Sequence, residues 1–191
     1  PAVRRAVVDG LFYPAAPEAL RAEVAEHLAA VGGAAAASLP KLLITPHAGY
    51  VYCGPVAAHA YALLASRRAR TIHRVVLLGP AHRAAVPGLA APEADAFETP
   101  LGEVALDVAA LQSLEARCQV VRDDRAHERE HSLEVQLPFL QVLLGSFTLV
   151  PLVVGDADAE TVAQVLESLW GGNETLIVIS SDLSHSLRYE Q

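Results

Sequence analysis

The sequence predicts an α/β protein with a largely parallel central sheet flanked by helices, and two observations support this. Continuous apolar runs occur at residues 41–45, 74–79 and 175–180. Runs of this kind are typical of strands that are buried on both faces of a parallel sheet. Segments with apolar residues at helical spacing separate the runs, and strands that alternate with helices of about 10 to 15 residues indicate βαβ units.

In the first half of the chain, prolines mark where helices are expected to begin. A helix is predicted over residues 17–31, starting at Pro17, because proline is favoured in the first turn of a helix. By the same reasoning, Pro55 predicts the start of a second helix that continues to about Arg68. The strand at residues 41–45 lies between these two helices.

The second half continues the alternation. The segment "FETPLGEVALD" predicts a short turn that leads into a helix near residues 104–116. Leucines at helical spacing predict a helix that begins just after His131, and Pro138 inside it is expected to bend it. Residues 147–155 resemble a strand that contains a proline, so we expect an edge position, a bulge or two short segments there.

Composition limits the classes of function. The chain has 191 residues, is 52% hydrophobic and carries a formal net charge of -8. This size is sufficient for one domain with a substantial core, and the acidic charge disfavours direct binding of nucleic acid. No apolar stretch approaches the length of a membrane span, and no signal peptide is recognisable, so we expect a soluble, cytoplasmic protein with no membrane partner. The sequence contains no Met, so we expect it to be a fragment of a longer chain.

Histidines follow three of the predicted strands within a few residues. His47 follows the first apolar run, His82 the second and His185 the third, with Asp182 close by. The carboxyl ends of strands in an open α/β sheet border the ligand crevice. The placement therefore predicts that these side chains meet at one edge of the sheet.

His131 is a fourth candidate, because it lies at the predicted start of a helix. The positive end of the helix dipole disfavours a charged imidazolium there, and a neutral ring is what metal ligation or base catalysis requires. Glu128, Glu130 and Asp182 supply candidate carboxylates. Imidazoles with a carboxylate suit Fe(II) or another divalent transition metal, and zinc uses the same ligand types. The other four histidines are interpreted as structural or exposed: His27, His59, His73 and His127.

Two other chemistries receive little support. Ser180 or Ser181 with Asp182 and His185 contains the residue types of a hydrolytic triad, but no G-x-S-x-G elbow is present. The glycine-rich phosphate-binding loops are also absent from the sequence.

Four motifs together resemble the Memo family, whose bacterial members are called AmmeMemoRadiSam system protein B. In chain order they are "PHAGYVYCG", "LLGPAH", "EHSLEVQLPFL" and "SSDLSH". The resemblance implies one Memo-like α/β domain over residues 1–191 that ends before the family's C-terminal part. It also implies the fold of the class III extradiol dioxygenases, with a non-haem iron site.

The resemblance further implies roles for individual residues. His47 and His82 match metal-binding histidines, and His131 matches a third imidazole that completes the site or acts as acid or base. Asp182 and His185 would orient ligands or relay protons. Animal members have a cysteine, described as a metal ligand, at the position of Ser184, so a different ligand set is implied here.

Three functions follow as alternatives. The first is a metal-binding protein with a dioxygenase-type site, holding Fe(II) in preference to copper or zinc, that acts as a redox enzyme on an unknown small molecule. The second is a non-catalytic module that binds a peptide or protein, with a radical-SAM protein and the A protein of the same system as expected partners. The third is a zinc-dependent hydrolase, which would use the same ligands.

Overall fold

A computed structural model describes residues 2–32, 38–117 and 119–182. Within these ranges the chain forms strands and helices that alternate along much of the sequence. The strands are β1 (Val3–Arg4), β2 (Leu42–Thr45), β3 (Arg74–Pro80), β4 (Leu89–Ala91), β5 (Ala96–Thr99), β6 (Gly102–Ala105), β7 (Val121–Arg122), β8 (Thr148–Val154) and β9 (Thr175–Ser180). The helices are α1 (Pro17–Val31), α2 (Tyr50–Tyr61), α3 (Val108–Ala116), α4 (Arg125–Glu128), α5 (Leu137–Leu144) and α6 (Ala159–Leu169).

The central sheet has six strands in the order β2-β9-β3-β8-β4-β7. All neighbouring pairs are parallel except β4 and β8, which are antiparallel. The mixed α/β architecture with a largely parallel sheet is therefore confirmed. β3 and β9 lie inside the sheet and consist mostly of buried apolar residues, as their continuous hydrophobic runs indicate. Helices flank the sheet, with α1 packed on α2 and α5, and α3 packed on α6.

The segment "FETPLGEVALD" contains more strand than the sequence indicates. It forms the antiparallel hairpin of β5 and β6, and β1 adds to β5 in parallel, giving a second sheet of three strands. Helix α3 begins only at Val108, after Asp107, whose side chain accepts a hydrogen bond from the amide of Ala110. The predicted helix start near residue 104 was thus too early, because the hairpin partner of residues 102–105 is not visible in the local pattern.

The structure changes the interpretation of Pro55 and Pro138. Pro55 lies inside α2, which begins five residues earlier at Tyr50 and ends at Tyr61. Pro138 lies in the first turn of α5 and does not bend a longer helix, because the preceding Glu134–Gln136 segment is a separate 3-10 helix. Pro138 costs no hydrogen bond, because nitrogens in the first turn of a helix have no intrahelical acceptor. Pro55 costs α2 one intrahelical hydrogen bond, because proline has no N–H to donate.

Pro151 lies in β8, which is one continuous strand between β3 and β4, so the prediction of an edge position, a bulge or two short segments was wrong. On one side β8 pairs with β3 along its whole length. On the other side β4 pairs only with Val153 and Val154, beyond the proline. Pro151 is tolerated because the neighbouring strand is short and is paired elsewhere.

Among the described residues, no helix combines the length and the apolar character that crossing a bilayer requires.

Candidate metal centre

The topology brings the predicted side chains to one edge of the central sheet. β9 lies between β2 and β3, and all three strands run parallel. His47 follows β2, His82 follows β3 and Asp182 follows β9, so all three emerge at the same edge. His131 reaches this edge from the segment between α4 and the 3-10 helix that precedes α5.

His47, His82 and His131 converge. One ring nitrogen of each lies within 4.8 Å of those of the other two. The ring centroids of His82 and His131 are 4.7 Å apart, and the rings are nearly stacked. The ring of His47 meets both edge-on, at 5.1 Å from His82 and 5.7 Å from His131. Such a group of imidazole nitrogens is suited to hold a single metal ion.

Glu130 fixes the orientation of His82. Its side chain is 1% exposed, and one of its carboxylate oxygens lies 2.9 Å from Nδ1 of His82. The other oxygen accepts the backbone N–H of His82 at 2.6 Å. The amide of Ser132 donates to the carboxylate as well, at 2.9 Å. Since a carboxylate only accepts, Nδ1 of His82 carries a proton, and in the neutral ring Nε2 keeps its lone pair.

The charge of Glu130 is maintained in spite of its burial. Burial raises the pKa of this carboxyl, but hydrogen bonds from Ser132 and His82 outweigh that effect and lower the pKa below its ordinary value. An ionised carboxylate therefore faces His82 at neutral pH. His131 also lies near it, with Nδ1 at 3.7 Å.

His47 contacts two groups from the end of β9. Its Nδ1 lies 3.0 Å from the hydroxyl oxygen of Ser180. Its backbone N–H donates to Asp182 at 3.1 Å, and its Nε2 lies 3.5 Å from the second oxygen of that carboxylate. Burial lowers the pKa of His47, against the opposing effect of Asp182, so the ring is neutral at neutral pH.

His131 is held mainly by ring contacts. It lies between the ring of His82 and that of Phe12, whose centroid is also 4.7 Å away. Burial lowers its pKa, while the nearby Glu130 acts in the opposite direction. The ring is neutral as the sequence predicts, but the cause is burial and not a helix dipole, because α5 begins only at Leu137.

A cavity of about 530 Å³ opens beside the histidines. His47, His82 and Asp182 line it. Aliphatic side chains from β3, β8, α6 and β9 line it as well: Leu78, Val154, Val162 and Ile179. A small molecule with an apolar body and a polar end that faces the histidines fits such a site.

Of the predicted site residues, His47, His82, His131 and Asp182 lie together at this edge, whereas His185 lies outside the described residues, as does Ser184. The structure distinguishes the two candidate glutamates: Glu130 is buried against His82, and Glu128 is exposed and borders a different cavity.

The serine hydrolase alternative receives no support from Ser180. Its hydroxyl is buried and donates to the backbone oxygen of Ser132 at 2.6 Å.

The two tyrosines of the motif "PHAGYVYCG" differ in exposure. Tyr50 is buried and its hydroxyl donates to the backbone oxygen of Val135, whereas Tyr52 is 83% exposed.

Sequence reasoning missed two residues that support the site. Gln136 contacts Ser180 behind His47, and Ser132 contacts Glu130 behind His82. Both belong to the motif "EHSLEVQLPFL", which also contains Glu130 and His131. Their place in this motif was the available signal.

Comparison with known proteins gives a consistent result. A family model described as Memo-like protein matches residues 4–191. A MEMO1 family protein of Methanopyrus kandleri is 38% identical over 98% of this chain and 71% of its own length. A MEMO1 family protein of Methanococcoides burtonii is 39% identical over 99% of this chain and 70% of its own length. One of Ignicoccus hospitalis is 42% identical over 74% of this chain and 52% of its own length. The chain therefore belongs to the Memo-like family.

Proposed function

We propose that this protein binds a divalent transition metal, Fe(II) in preference to zinc or copper, through His47, His82 and His131, and that it oxidises a small molecule at this site. The convergence of three imidazole nitrogens within 4.8 Å carries the proposal. The class III extradiol dioxygenase architecture implied by the sequence motifs is part of it.

The chemistry of the donor set fits such a metal. Imidazole nitrogens are suitable ligands for iron, copper and zinc, and they must be neutral to bind. Burial lowers the pKa of both His47 and His131, which favours the neutral ring. Glu130 directs the lone pair of His82 to Nε2, as a hydrogen-bonded carboxylate does for many metal-binding histidines.

The surrounding residues divide the remaining tasks. Asp182 lies next to His47, where its carboxylate can orient a ligand or accept a proton. The aliphatic wall of the cavity excludes water and binds the apolar part of the substrate. His47, His82 and His131 would hold the Fe(II), which would supply the one-electron chemistry by which dioxygen reacts with an electron-rich organic molecule.

Metal analysis tests the first half of the proposal. The wild-type protein, purified without oxygen, should contain stoichiometric iron, and both His47→Ala and His82→Ala should lose it. His59→Ala is the matched control, because this histidine is exposed and lies on α2. A wild-type protein that binds no transition metal under these conditions would refute the proposal and favour a non-catalytic binding module.

Oxygen consumption tests the second half. The iron-loaded protein should consume oxygen when a catechol is added, and His47→Ala should not. A zinc-loaded protein that hydrolyses ester or amide substrates without oxygen chemistry would instead identify a hydrolase, since three histidines are also a known ligand set of catalytic zinc.

A further inference from the structure

Buried polar groups next to His47 form a chain of hydrogen bonds. The chain connects Tyr61, Gln136, Ser180 and His47 in that order. Tyr61, Gln136 and Ser180 are each exposed by 2% or less. Because these side chains are buried, the partners of each one determine where its hydrogens lie.

The orientation of the Gln136 amide follows from Pro46. One end of the amide lies 2.8 Å from the backbone oxygen of Pro46. A carbonyl oxygen only accepts, so this end is the NH2 group. The oxygen at the other end then accepts the hydroxyl hydrogen of Tyr61 at 2.6 Å. The second N–H of Gln136 is directed at the hydroxyl oxygen of Ser180, 2.9 Å away.

The hydroxyl of Ser180 has one hydrogen and two lone pairs. Its hydrogen is donated to the backbone oxygen of Ser132 at 2.6 Å, which again can only accept. One lone pair receives the N–H of Gln136. The other faces Nδ1 of His47 at 3.0 Å, and a hydrogen bond forms there only if Nδ1 carries the proton.

We propose that Gln136 and Ser180 are positioning residues that hold His47 in the Nδ1–H tautomer, so that the lone pair of its Nε2 is available to the metal. The purpose of this arrangement rests on the proposed metal site, but the tautomer is a property of the metal-free protein. At Nδ1 the two histidines that follow strands are then oriented by different groups, His82 by the carboxylate of Glu130 and His47 by a neutral hydroxyl. For His47 this hydroxyl must prevail over the Asp182 carboxylate, which lies 3.5 Å from Nε2 and favours the opposite tautomer.

Nitrogen NMR of the metal-free protein, labelled with 15N in its histidines, tests the tautomer directly. The His47 signals are assigned as those that disappear in His47→Gln. We expect a protonated Nδ1 and an unprotonated Nε2 in the wild type, whereas neutral histidine in water prefers the Nε2–H form. Ser180→Ala removes the acceptor and should shift His47 toward Nε2–H.

Two further variants separate positioning from general loss of packing. Gln136→Leu frees the Ser180 hydroxyl to rotate and should also increase the Nε2–H population, so it tests the proposal even if Ser180→Ala does not fold. Tyr50→Phe is the control, because it removes a buried tyrosine hydroxyl that donates to Val135, outside this chain of hydrogen bonds. The tautomer of His47 should not change in it.

Titration with Zn²⁺ provides the second measurement. Loss of a hydrogen-bond partner behind a metal-binding histidine typically weakens metal affinity by about 10- to 100-fold, and we expect a loss of this size in Ser180→Ala but not in Tyr50→Phe. A wild-type His47 in the Nε2–H form, or a tautomer that Ser180→Ala and Gln136→Leu both leave unchanged, would overturn the inference. The expected tautomers in a protein that binds no metal would support the inference and refute the proposed function.

Discussion

The substitution Glu130→Gln tests the site most directly, because it changes one oxygen to NH2 and leaves the shape of the side chain almost unchanged. The carboxylate accepts three hydrogen bonds: from the backbone N–H of His82 at 2.6 Å, from its Nδ1 at 2.9 Å and from the amide of Ser132 at 2.9 Å. Both oxygens are used as acceptors. The NH2 group of a glutamine must therefore face at least one N–H donor.

Neither orientation of the new amide preserves the site. If the NH2 group faces the backbone N–H of His82, that partly buried donor loses its partner. If it faces Nδ1 of His82, the ring can accept the bond only by moving its proton to Nε2. The second arrangement removes the lone pair that would bind the metal, and it also leaves the amide of Ser132 without an acceptor.

The magnitude follows from these losses. A hydrogen bond to a charged group contributes about 1.5–3 kcal/mol, and an unpaired buried donor costs about 1–3 kcal/mol. Removing a buried charge offsets part of this. The pKa of Glu130 shows which effect is larger: burial raises it, but the hydrogen bonds lower it further, so the fold favours the charged form. We expect Glu130→Gln to lower the free energy of unfolding by roughly 2 kcal/mol and the metal affinity by about 10- to 100-fold.

Two measurements check this expectation. Urea unfolding at pH 7 gives the stability of the metal-free protein, and competitive titration with Zn²⁺ gives the affinity. Glu128→Gln is the matched control, since this glutamate is two residues away and exposed, and both quantities should stay near wild type. If Glu130→Gln equals the control in both measurements, the carboxylate does not orient His82 and the description of the site given above is wrong.

Three further predictions concern stability, measured by urea unfolding. Gly79→Ala should destabilise the protein by about 1–3 kcal/mol and weaken metal binding, because the added Cβ would lie 2.7 Å from the hydroxyl of Ser132; wild-type values for both would contradict this. Gly155→Ala should lower the free energy of unfolding more than Gly79→Ala does, since its Cβ would lie 2.0 Å from a backbone oxygen. Gly49→Ala is the control: the atom nearest to its Cβ is 3.7 Å away, so little change in stability is expected. A smaller effect at residue 155 than at residue 49 would refute the packing argument. Burial lowers the pKa of His127 to about 4, below its ordinary value of 6.5. Between these two pH values the unfolded chain binds more protons than the folded protein, so stability falls as the pH decreases through this window. From pH 7 to pH 5 the loss should be about 2 kcal/mol greater in wild type than in His127→Gln, and equal losses would show that His127 is not buried as a neutral ring.

Much of the fold could be predicted because its signals are local. The apolar runs that became β3 and β9 identify buried strands without reference to other parts of the chain. The hairpin of β5 and β6 and the interior place of Pro151 could not be predicted in this way. Both depend on which strand lies alongside, and that is decided by pairing between distant segments.

The sequence by itself placed His47, His82 and Asp182 after strands, and parallel strands that end at one edge bring such residues together. Only the tertiary structure decided how these groups are held. Glu128 and Glu130 are equivalent candidates in the sequence, but the turn after α4 buries only the second against His82. The hydrogen bonds that orient the histidine rings come from residues 48 to 133 positions away, so no local pattern records them.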